Sequence, residues 1–128
     1  MRLLLDTHVL LWAIAEPERL SRRARALLLD ESNELLLSTA SIWEIQLKRR
    51  AGKLQLPDGA DILRQHTVRL GITQVISVIP ERAYRILALP GVHKDPFDCL
   101  LAAQCLAEDL RMVSKDECFE KLGVRVLW

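Results

Sequence analysis

Short runs of consecutive apolar residues alternate along the chain with longer segments whose apolar positions recur at helical spacing. Leu3–Leu5 and Leu35–Leu37 are apolar throughout, which is typical of strands buried on both faces of a sheet. The segment Ile72–Ile79 is β-branched and partly alternating, which also favours a strand. Met112–Val113 and Val124–Leu127 are shorter apolar runs. The pattern therefore predicts a sheet of about five strands.

Helices are predicted between these strands because capping residues, prolines and glycines bound the periodic segments. The predicted helices are His8–Ala15, a helix starting at Ser21, a helix after Ser38 that ends at Gly52, Pro57–Gly71, Pro80–Leu89, Asp95–Glu108 and a turn over Asp116–Lys121. Strands that alternate with helices indicate an α/β fold with a mainly parallel sheet and right-handed crossovers. No linker, repeat or low-complexity stretch interrupts the 128 residues, so we expect one domain spanning residues 1–128.

Composition narrows the class of protein without identifying its partners. Half of the residues are hydrophobic, 27% are charged and the net charge is +1, as in an ordinary globular protein. No signal peptide is apparent, and no apolar run reaches the roughly 18 residues of a membrane span. Three cysteines without C-x-x-C spacing fit neither a disulfide framework nor a zinc site. We therefore expect reduced thiols in a cytoplasmic protein that does not enter the membrane.

Positive charge is concentrated in two segments although the whole chain is almost neutral. These two clusters are Arg19, Arg22, Arg23 and Arg25, and Lys48, Arg49, Arg50 and Lys53. Each could be a solvated helix face. Each could equally contact the phosphate backbone of a nucleic acid.

Four acidic residues follow a predicted strand or begin a predicted helix. They are Asp6, Glu44, Asp98 and Asp116. In a parallel sheet the loops that leave the strands share one edge, and the helices that lead into strands begin there, so all four should lie at the carboxyl edge, where ligands bind in such folds. Separate segments of the chain would thus bring four carboxylates together.

Each acid could instead stabilise a helix amino end. Asp6 could cap the first helix, Ser41 and Glu44 have the spacing of a capping box, and so do Ser114 and Glu117 beside Asp116. Asp95 followed by Pro96 has the expected form of an N-cap with proline at the first helical position. Four caps at one edge are less expected by chance than a shared role. The shared role would be binding of Mg²⁺, which prefers hard oxygen ligands, and two such ions about 4 Å apart can support phosphodiester hydrolysis.

Several sequence blocks together resemble PIN-domain ribonucleases, and specifically VapC-type toxins of bacterial toxin–antitoxin pairs. The blocks are Leu3-Leu4-Leu5-Asp6-Thr7-His8 with Trp12; Ser38-x-x-Ser41-x-Trp43-Glu44-Ile45 with Lys48 and Gly52-Lys53-Leu54; His93-x-Asp95-Pro96-Phe97-Asp98-x-Leu100-Leu101-Ala102-Ala103-Gln104; and Ser114-x-Asp116-x-x-Phe119. They span nearly the whole chain in the family's order. The resemblance implies a three-layer α/β/α sandwich and a metal-dependent endoribonuclease.

The resemblance also implies roles for individual residues. Asp6, Glu44, Asp98 and Asp116 match the family's catalytic, metal-binding acids, with Mg²⁺ or Mn²⁺ as the cofactor. Thr7, Asp95 and Ser114 are expected to support them, and Thr7 could orient the first carboxylate or a bound water. Candidate RNA contacts are Lys48, Arg49, Arg50, Lys53 and His93. Cys99 departs from the family pattern, which often has arginine after the last acid of that block.

Expected partners are an RNA substrate, a cognate antitoxin and a second copy of the chain in a homodimer. Trp12 and Trp43 are expected in the core or in the dimer or antitoxin contact. Two alternatives within the family stay open: a catalytically silent PIN-fold binding module and a housekeeping RNA-processing nuclease. A haloacid-dehalogenase-like phosphatase is disfavoured, since it needs a second Asp where His8 stands, and no glycine-rich loop follows the first strand.

Overall fold

A parallel sheet forms the centre of the molecule. The computed structural model describes residues 1–56, 62–91 and 93–128. Within these ranges five strands pair in the order β3-β2-β1-β4-β5, and each pairing is parallel. The strands are β1 (Arg2–Leu5), β2 (Glu34–Ser38), β3 (Ile72–Ile76), β4 (Arg111–Val113) and β5 (Val126–Leu127).

Helices connect consecutive strands. Within the described ranges the α-helices are α1 (Thr7–Ala15), α2 (Arg22–Leu29), α3 (Thr39–Arg50), α4 (Ile62–Arg69), α5 (Pro80–Tyr84), α6 (Pro96–Glu108) and α7 (Cys118–Lys121). Short 3₁₀ turns lie at Pro17–Arg19 and Arg85–Ala88. None of these helices is long and apolar enough to cross a membrane. The α/β architecture with a parallel sheet is confirmed.

The central strands are buried because their side chains are apolar on both faces. Leu3, Leu4 and Leu5 are all fully buried. Leu4 packs in a cluster that includes Leu101 of α6, whereas Leu3 and Leu5 pack on the opposite face in a cluster that includes Val9 of α1. Helices thus cover both faces of the sheet, as a three-layer sandwich requires.

Several predicted boundaries were wrong. The third strand ends at Ile76 instead of Ile79, because its partner β2 ends at Ser38, which is paired with Ile76. The predicted helix over 80–89 divides into α5 and a 3₁₀ turn, and the last strand contains two residues instead of four. The predicted start of a helix at Pro57 lies outside the described residues.

The direction of α6 brings its amino end to the carboxyl edge of the sheet. Its carboxyl end lies at the opposite edge, where Asp109 adopts a left-handed conformation with φ of 51° and the chain turns into β4. Asp is one of the few non-glycine residues that adopt this conformation readily. The first turn of α6 therefore lies beside the ends of β1 and β4.

Candidate active site

Asp6 lies where β1 ends, and its side chain is almost entirely buried. Its side chain is 4% exposed, and its backbone N–H donates to the Val113 carbonyl oxygen of the neighbouring strand at 3.1 Å. Asp6 occupies the N-cap position of α1, but its side chain makes no capping hydrogen bond. The side-chain partner of Asp6 is instead the Ser114 hydroxyl.

Ser114 connects two of the acids at the end of β4. Its hydroxyl donates to Asp6 Oδ2 at 2.7 Å and accepts the backbone N–H of Asp116 at 2.9 Å. The capping box predicted from Ser114 and Glu117 was wrong, because α7 begins only at Cys118 and Glu117 makes no side-chain cap. The expectation that Ser114 supports the acids agrees with these contacts.

Asp116 is held by its own loop and reaches the surface. Its Oδ1 accepts the backbone N–H of Cys118 at 2.8 Å. This local bond fixes the carboxylate near the end of β4 while leaving it accessible to solvent.

Glu44 enters the site from α3. The helix begins at Thr39, capped by the Ser38 hydroxyl, which accepts the Ala40 N–H at 3.0 Å. The capping box predicted from Ser41 was therefore wrong, since Glu44 lies well inside the helix. Glu44 is 5% exposed, and Lys48 Nζ donates to its Oε2 at 2.9 Å.

Thr7 was expected to orient the Asp6 carboxylate or a bound water, but its hydroxyl has another partner. Its hydroxyl donates to Ser41 Oγ at 3.0 Å, and both residues are buried. This bond ties the start of α1 to α3, and so fixes the backbone next to Asp6. Ser114, instead of Thr7, supplies the hydroxyl that binds the Asp6 carboxylate.

Asp98 lies in the first turn of α6 and binds a histidine. Asp95 caps this helix, as predicted: its Oδ1 accepts the backbone N–H groups of Phe97 and Asp98 at 2.9 and 3.1 Å. Asp98 Oδ2 lies 2.8 Å from His93 Nε2. His93, which was predicted to contact RNA, thus binds an acid of the site.

The pKa values show that the carboxylates affect one another. Burial raises the pKa of Asp98 to about 6; the hydrogen bond from His93 opposes the rise, and the negative charges of Asp95 and Asp6 add to it. Burial also raises the pKa of Asp6, against the Ser114 hydrogen bond and the charge of His8, and Glu44 adds to the rise. The negative charge of Glu44 thus raises the pKa of Asp6, and the negative charge of Asp6 raises the pKa of Asp98.

The cluster has few cationic partners of its own. Within the described residues, Lys48 forms an ion pair with Glu44 and the His93 ring contacts Asp98, whereas no ion pair involves Asp6 or Asp116. Buried carboxylates that repel one another are stabilised when a cation binds between them. Their oxygen atoms suit a hard divalent ion such as Mg²⁺. Asp6, Glu44, Asp98 and Asp116 are therefore the residues that could hold a metal.

Part of the predicted cationic surface adjoins these acids. An open depression of about 440 Å³ is lined by Asp6, Asp116, His8, Trp12, Arg19 and Lys115. A neighbouring cavity of about 330 Å³ shares Trp12 and Arg19 and is also lined by Lys48 and Lys53. Arg50 and the arginines of α2 are exposed and line neither space.

The two tryptophans of the motif lie in different environments. Trp12 is half-buried, packs edge-on against Trp128 and carries the Arg19 guanidinium 4.7 Å from its ring centre. Trp43 is 57% exposed and packs edge-on against Phe97. Trp12 therefore belongs to the margin of the core, and Trp43 offers an apolar surface near the site.

Cys118 is a member of this region that the sequence reasoning missed. Its sulfur belongs to a group with His93 and Asp98 in which the potential ligand atoms lie within 4.8 Å of one another. The available signal was its position two residues after Asp116. All three cysteines are free thiols, as predicted.

Comparisons with known proteins agree with this architecture. The sequence model of the PIN domain matches residues 3–124. Ribonuclease VapC22 of Mycobacterium tuberculosis is 32% identical over 118 residues, which cover 88% of this chain and 85% of that protein. A chain of the crystal structure of VapBC2 from Rickettsia felis, bound to a DNA fragment from their promoter, superposes with a TM-score of 0.69 at 17% identity, covering 99% of this chain and 98% of that one. A chain of FitAcB from Neisseria gonorrhoeae superposes with a TM-score of 0.65 at 21% identity, covering 98% and 96%. This chain belongs to the PIN-domain family.

Proposed function

We propose that the protein is a metal-dependent endoribonuclease that hydrolyses RNA phosphodiester bonds, and that it is the toxin of a VapBC-type toxin–antitoxin pair. The observation that carries the proposal is the group of four acids at the carboxyl edge, in which, besides burial, the charge of Glu44 raises the pKa of Asp6 and the charge of Asp6 raises the pKa of Asp98. The relative named a ribonuclease supports the choice of RNA as substrate. All four acids are present, which disfavours a catalytically silent binding module.

The proposed catalytic residues are Asp6, Glu44, Asp98 and Asp116, which would hold Mg²⁺ or Mn²⁺. A bound divalent ion would supply a nucleophilic water at neutral pH and stabilise the leaving oxygen of the phosphodiester. Ser114 would orient the Asp6 carboxylate, and Asp95 would fix the backbone that carries Asp98. Thr7 would act through the Ser41 contact, by holding α1 against α3.

The RNA backbone would follow the cationic surface beside the acids. Lys48 and Lys53 line the cavity that adjoins the acids, so they are the strongest candidates for phosphate contacts. Arg49 and Arg50 follow Lys48 in the last turn of α3 but line neither the cavity nor the depression beside the acids. His93 would act chiefly on Asp98, to which it is bonded.

The partners follow from the same proposal. A cognate antitoxin would cover apolar surface near the site, for which the exposed ring of Trp43 is suited. A homodimer would bury other exposed apolar side chains, including Tyr84 and Leu87, which are 80% and 96% exposed. We expect one domain over residues 1–128, acting in the cytoplasm where its substrate is.

An RNA cleavage assay on purified protein, freed of any partner, tests the activity. We expect endonucleolytic cleavage with Mg²⁺ or Mn²⁺, products with 5′-phosphate ends, and none with EDTA. Heat-inactivated protein in the same buffer is the control. Robust cleavage in EDTA would contradict a metal-dependent site.

Expression in a bacterial host distinguishes a toxin from a housekeeping nuclease. The toxin proposal predicts growth arrest on expression and its relief by Asp98→Asn at equal protein level. Harmless expression of a protein that is active in the purified assay would favour the housekeeping role.

A further inference from the structure

Three donor atoms of different chemical type meet at the margin of the acid cluster. His93 precedes α6, Asp98 lies in its first turn, and Cys118 begins α7. The imidazole nitrogen, the carboxylate oxygen and the sulfur lie within 4.8 Å of one another. All three residues are only partly buried, so solvent can reach the group.

This donor set differs chemically from that of the four acids. Mg²⁺ selects oxygen ligands, whereas thiolate and imidazole together suit Zn²⁺ and ions of similar softness. Three protein ligands would leave one tetrahedral position for water, as in zinc sites that keep an open position. One residue, Asp98, belongs to both sets.

Ligation requires only small side-chain movements. Tetrahedral Zn²⁺ with usual bond lengths separates nitrogen and oxygen ligands by about 3.3 Å, and sulfur from either by about 3.6 Å. His93 Nε2 and Asp98 Oδ2 are now 2.8 Å apart, so this pair would open by about 0.5 Å. The sulfur would approach by at most about 1.2 Å from the 4.8 Å limit, within reach of a side-chain rotation.

We propose that His93, Asp98 and Cys118 form a second, distinct cation site that binds a borderline or soft divalent ion such as Zn²⁺. The ion takes the place of the proton between His93 and Asp98, and both this proton and the thiol proton of Cys118 are released to solvent on binding. Because Asp98 is shared, occupancy of this site withdraws one ligand from the four acids and inhibits RNA cleavage. This inhibitory role rests on the proposed nuclease function.

Cys118 would bind the ion as a thiolate, because coordination to a divalent ion deprotonates a thiol. The bound cation would also offset the negative charge of the Asp98 carboxylate.

Cobalt spectroscopy tests the site without requiring turnover. Co²⁺ added to the reduced protein should give a thiolate-to-cobalt charge-transfer band in the near ultraviolet, and stoichiometric Zn²⁺ should remove it. Cys118→Ser and His93→Ala should both lose the band. Cys99→Ser is the matched control and should keep it, because Cys99 donates only to a backbone carbonyl oxygen at 3.4 Å.

The absence of the band in the wild type, or its persistence in Cys118→Ser, would overturn the site. Thermal melts check that each variant is folded. His93→Ala, at a side chain that is 24% exposed, tests the same prediction should the cysteine variant be unstable.

The inhibitory role has its own measurement. Zn²⁺ added to a Mg²⁺-dependent cleavage assay should inhibit the wild type at a concentration at least about 10-fold lower than Cys118→Ser, each relative to its own activity, as expected when one ligand is lost. Equal inhibition of both proteins would overturn this role. If the protein cleaves no RNA, the nuclease proposal fails, and the cobalt spectrum still decides whether the cation site exists.

Discussion

The two edges of the sheet carry similar numbers of acids but arrange them in opposite ways. At the amino edge, Arg2 contacts both Glu34 and Glu108, at 3.2 and 3.6 Å, and Asp109 pairs with Arg125. At the carboxyl edge, Asp6 is nearly buried and pairs with no basic side chain among the described residues.

The difference separates acids that serve the fold from acids that serve a ligand. Exposed ion pairs such as Arg2–Glu34 and Arg125–Asp109 contribute about 0–1 kcal/mol each, and they leave little charge unbalanced. Acids whose pKa values are raised by burial and by one another cost stability, and such groups concentrate at functional sites. The carboxyl edge is therefore the part of the molecule where a bound cation would contribute most.

The largest expected effect is on catalysis at the carboxyl edge. Asp6→Asn and Asp98→Asn should each reduce RNA cleavage by more than about 100-fold, because loss even of an outer partner of a metal ligand costs 10–100-fold. The matched control at the other edge is Asp109→Asn, since Asn also tolerates the left-handed conformation. Initial rates of cleavage at saturating Mn²⁺ measure the effect. Equal activity of all three variants would show that the acids of the carboxyl edge are no more important for catalysis than Asp109.

The next effect is a pH dependence of stability in EDTA. Asp98 has a pKa of about 6 in the folded protein against a usual value of 3.8. Between these two pH values the folded state therefore holds a proton that the unfolded state has lost. Stability should therefore fall as the pH rises from about 4 to about 6, by at most about 3 kcal/mol from this group. Burial of Asp6 acts in the same direction.

Urea unfolding at several pH values measures this dependence. Asp98→Asn should flatten the fall between pH 4 and 6, whereas Asp109→Asn should leave it unchanged. A wild-type protein whose stability rises over that interval would show that burial and the neighbouring acids do not destabilise the charged form of Asp98.

A smaller effect is expected at the hydroxyl that joins two acids. Ser114→Ala removes the donor to Asp6 and the acceptor of the Asp116 N–H. We expect a 10–100-fold loss in Mn²⁺ affinity, together with about 1–3 kcal/mol of stability from the unsatisfied groups. Calorimetric titration with Mn²⁺ measures the affinity, and Ser32→Ala, at an exposed serine in another turn, is the control. Unchanged affinity would mean that Ser114 only supports the fold.

The smallest effect is expected at the amino edge. Glu34→Gln removes the negative charge of one partner of Arg2. The side chains of Glu34 and Arg2 are 42% and 43% exposed. The free energy of unfolding should change by less than about 1 kcal/mol, and RNA cleavage should not change. A loss of several kcal/mol in urea unfolding would show that the pairs at this edge hold the fold together.

The sequence predicted the fold well because its signals are local or follow from topology. Uninterrupted apolar runs such as Leu3–Leu5 have few alternatives to a buried strand. Once parallel strands are assigned, the rule that loops share the carboxyl edge places Asp6 and Asp98 near each other without knowledge of any contact. The end of β3 was missed because its β-branched pattern continues past Ile76, where its pairing partner has ended.

The side-chain contacts within the site could not be predicted in the same way. Ser114 binds Asp6 across 108 positions of sequence, and Thr7 binds Ser41 across 34. Spacing gives no information about such pairs, because they depend on the packing of one element against another. Local spacing did suggest the capping boxes, and tertiary contacts overrode them.

Metal-dependent stabilisation tests most directly the central claim that the carboxyl edge is a cation site. Thermal melts are recorded for the wild type, Asp6→Asn and Asp98→Asn, each with Mn²⁺ and with EDTA. A ligand at 100 times its Kd stabilises the folded state by about 2.7 kcal/mol, so the wild type should gain several degrees in Tm with Mn²⁺. Both variants should lose most of that gain, and Asp98→Asn should be at least as stable as the wild type in EDTA. Equal Mn²⁺-induced shifts in all three proteins would contradict the account.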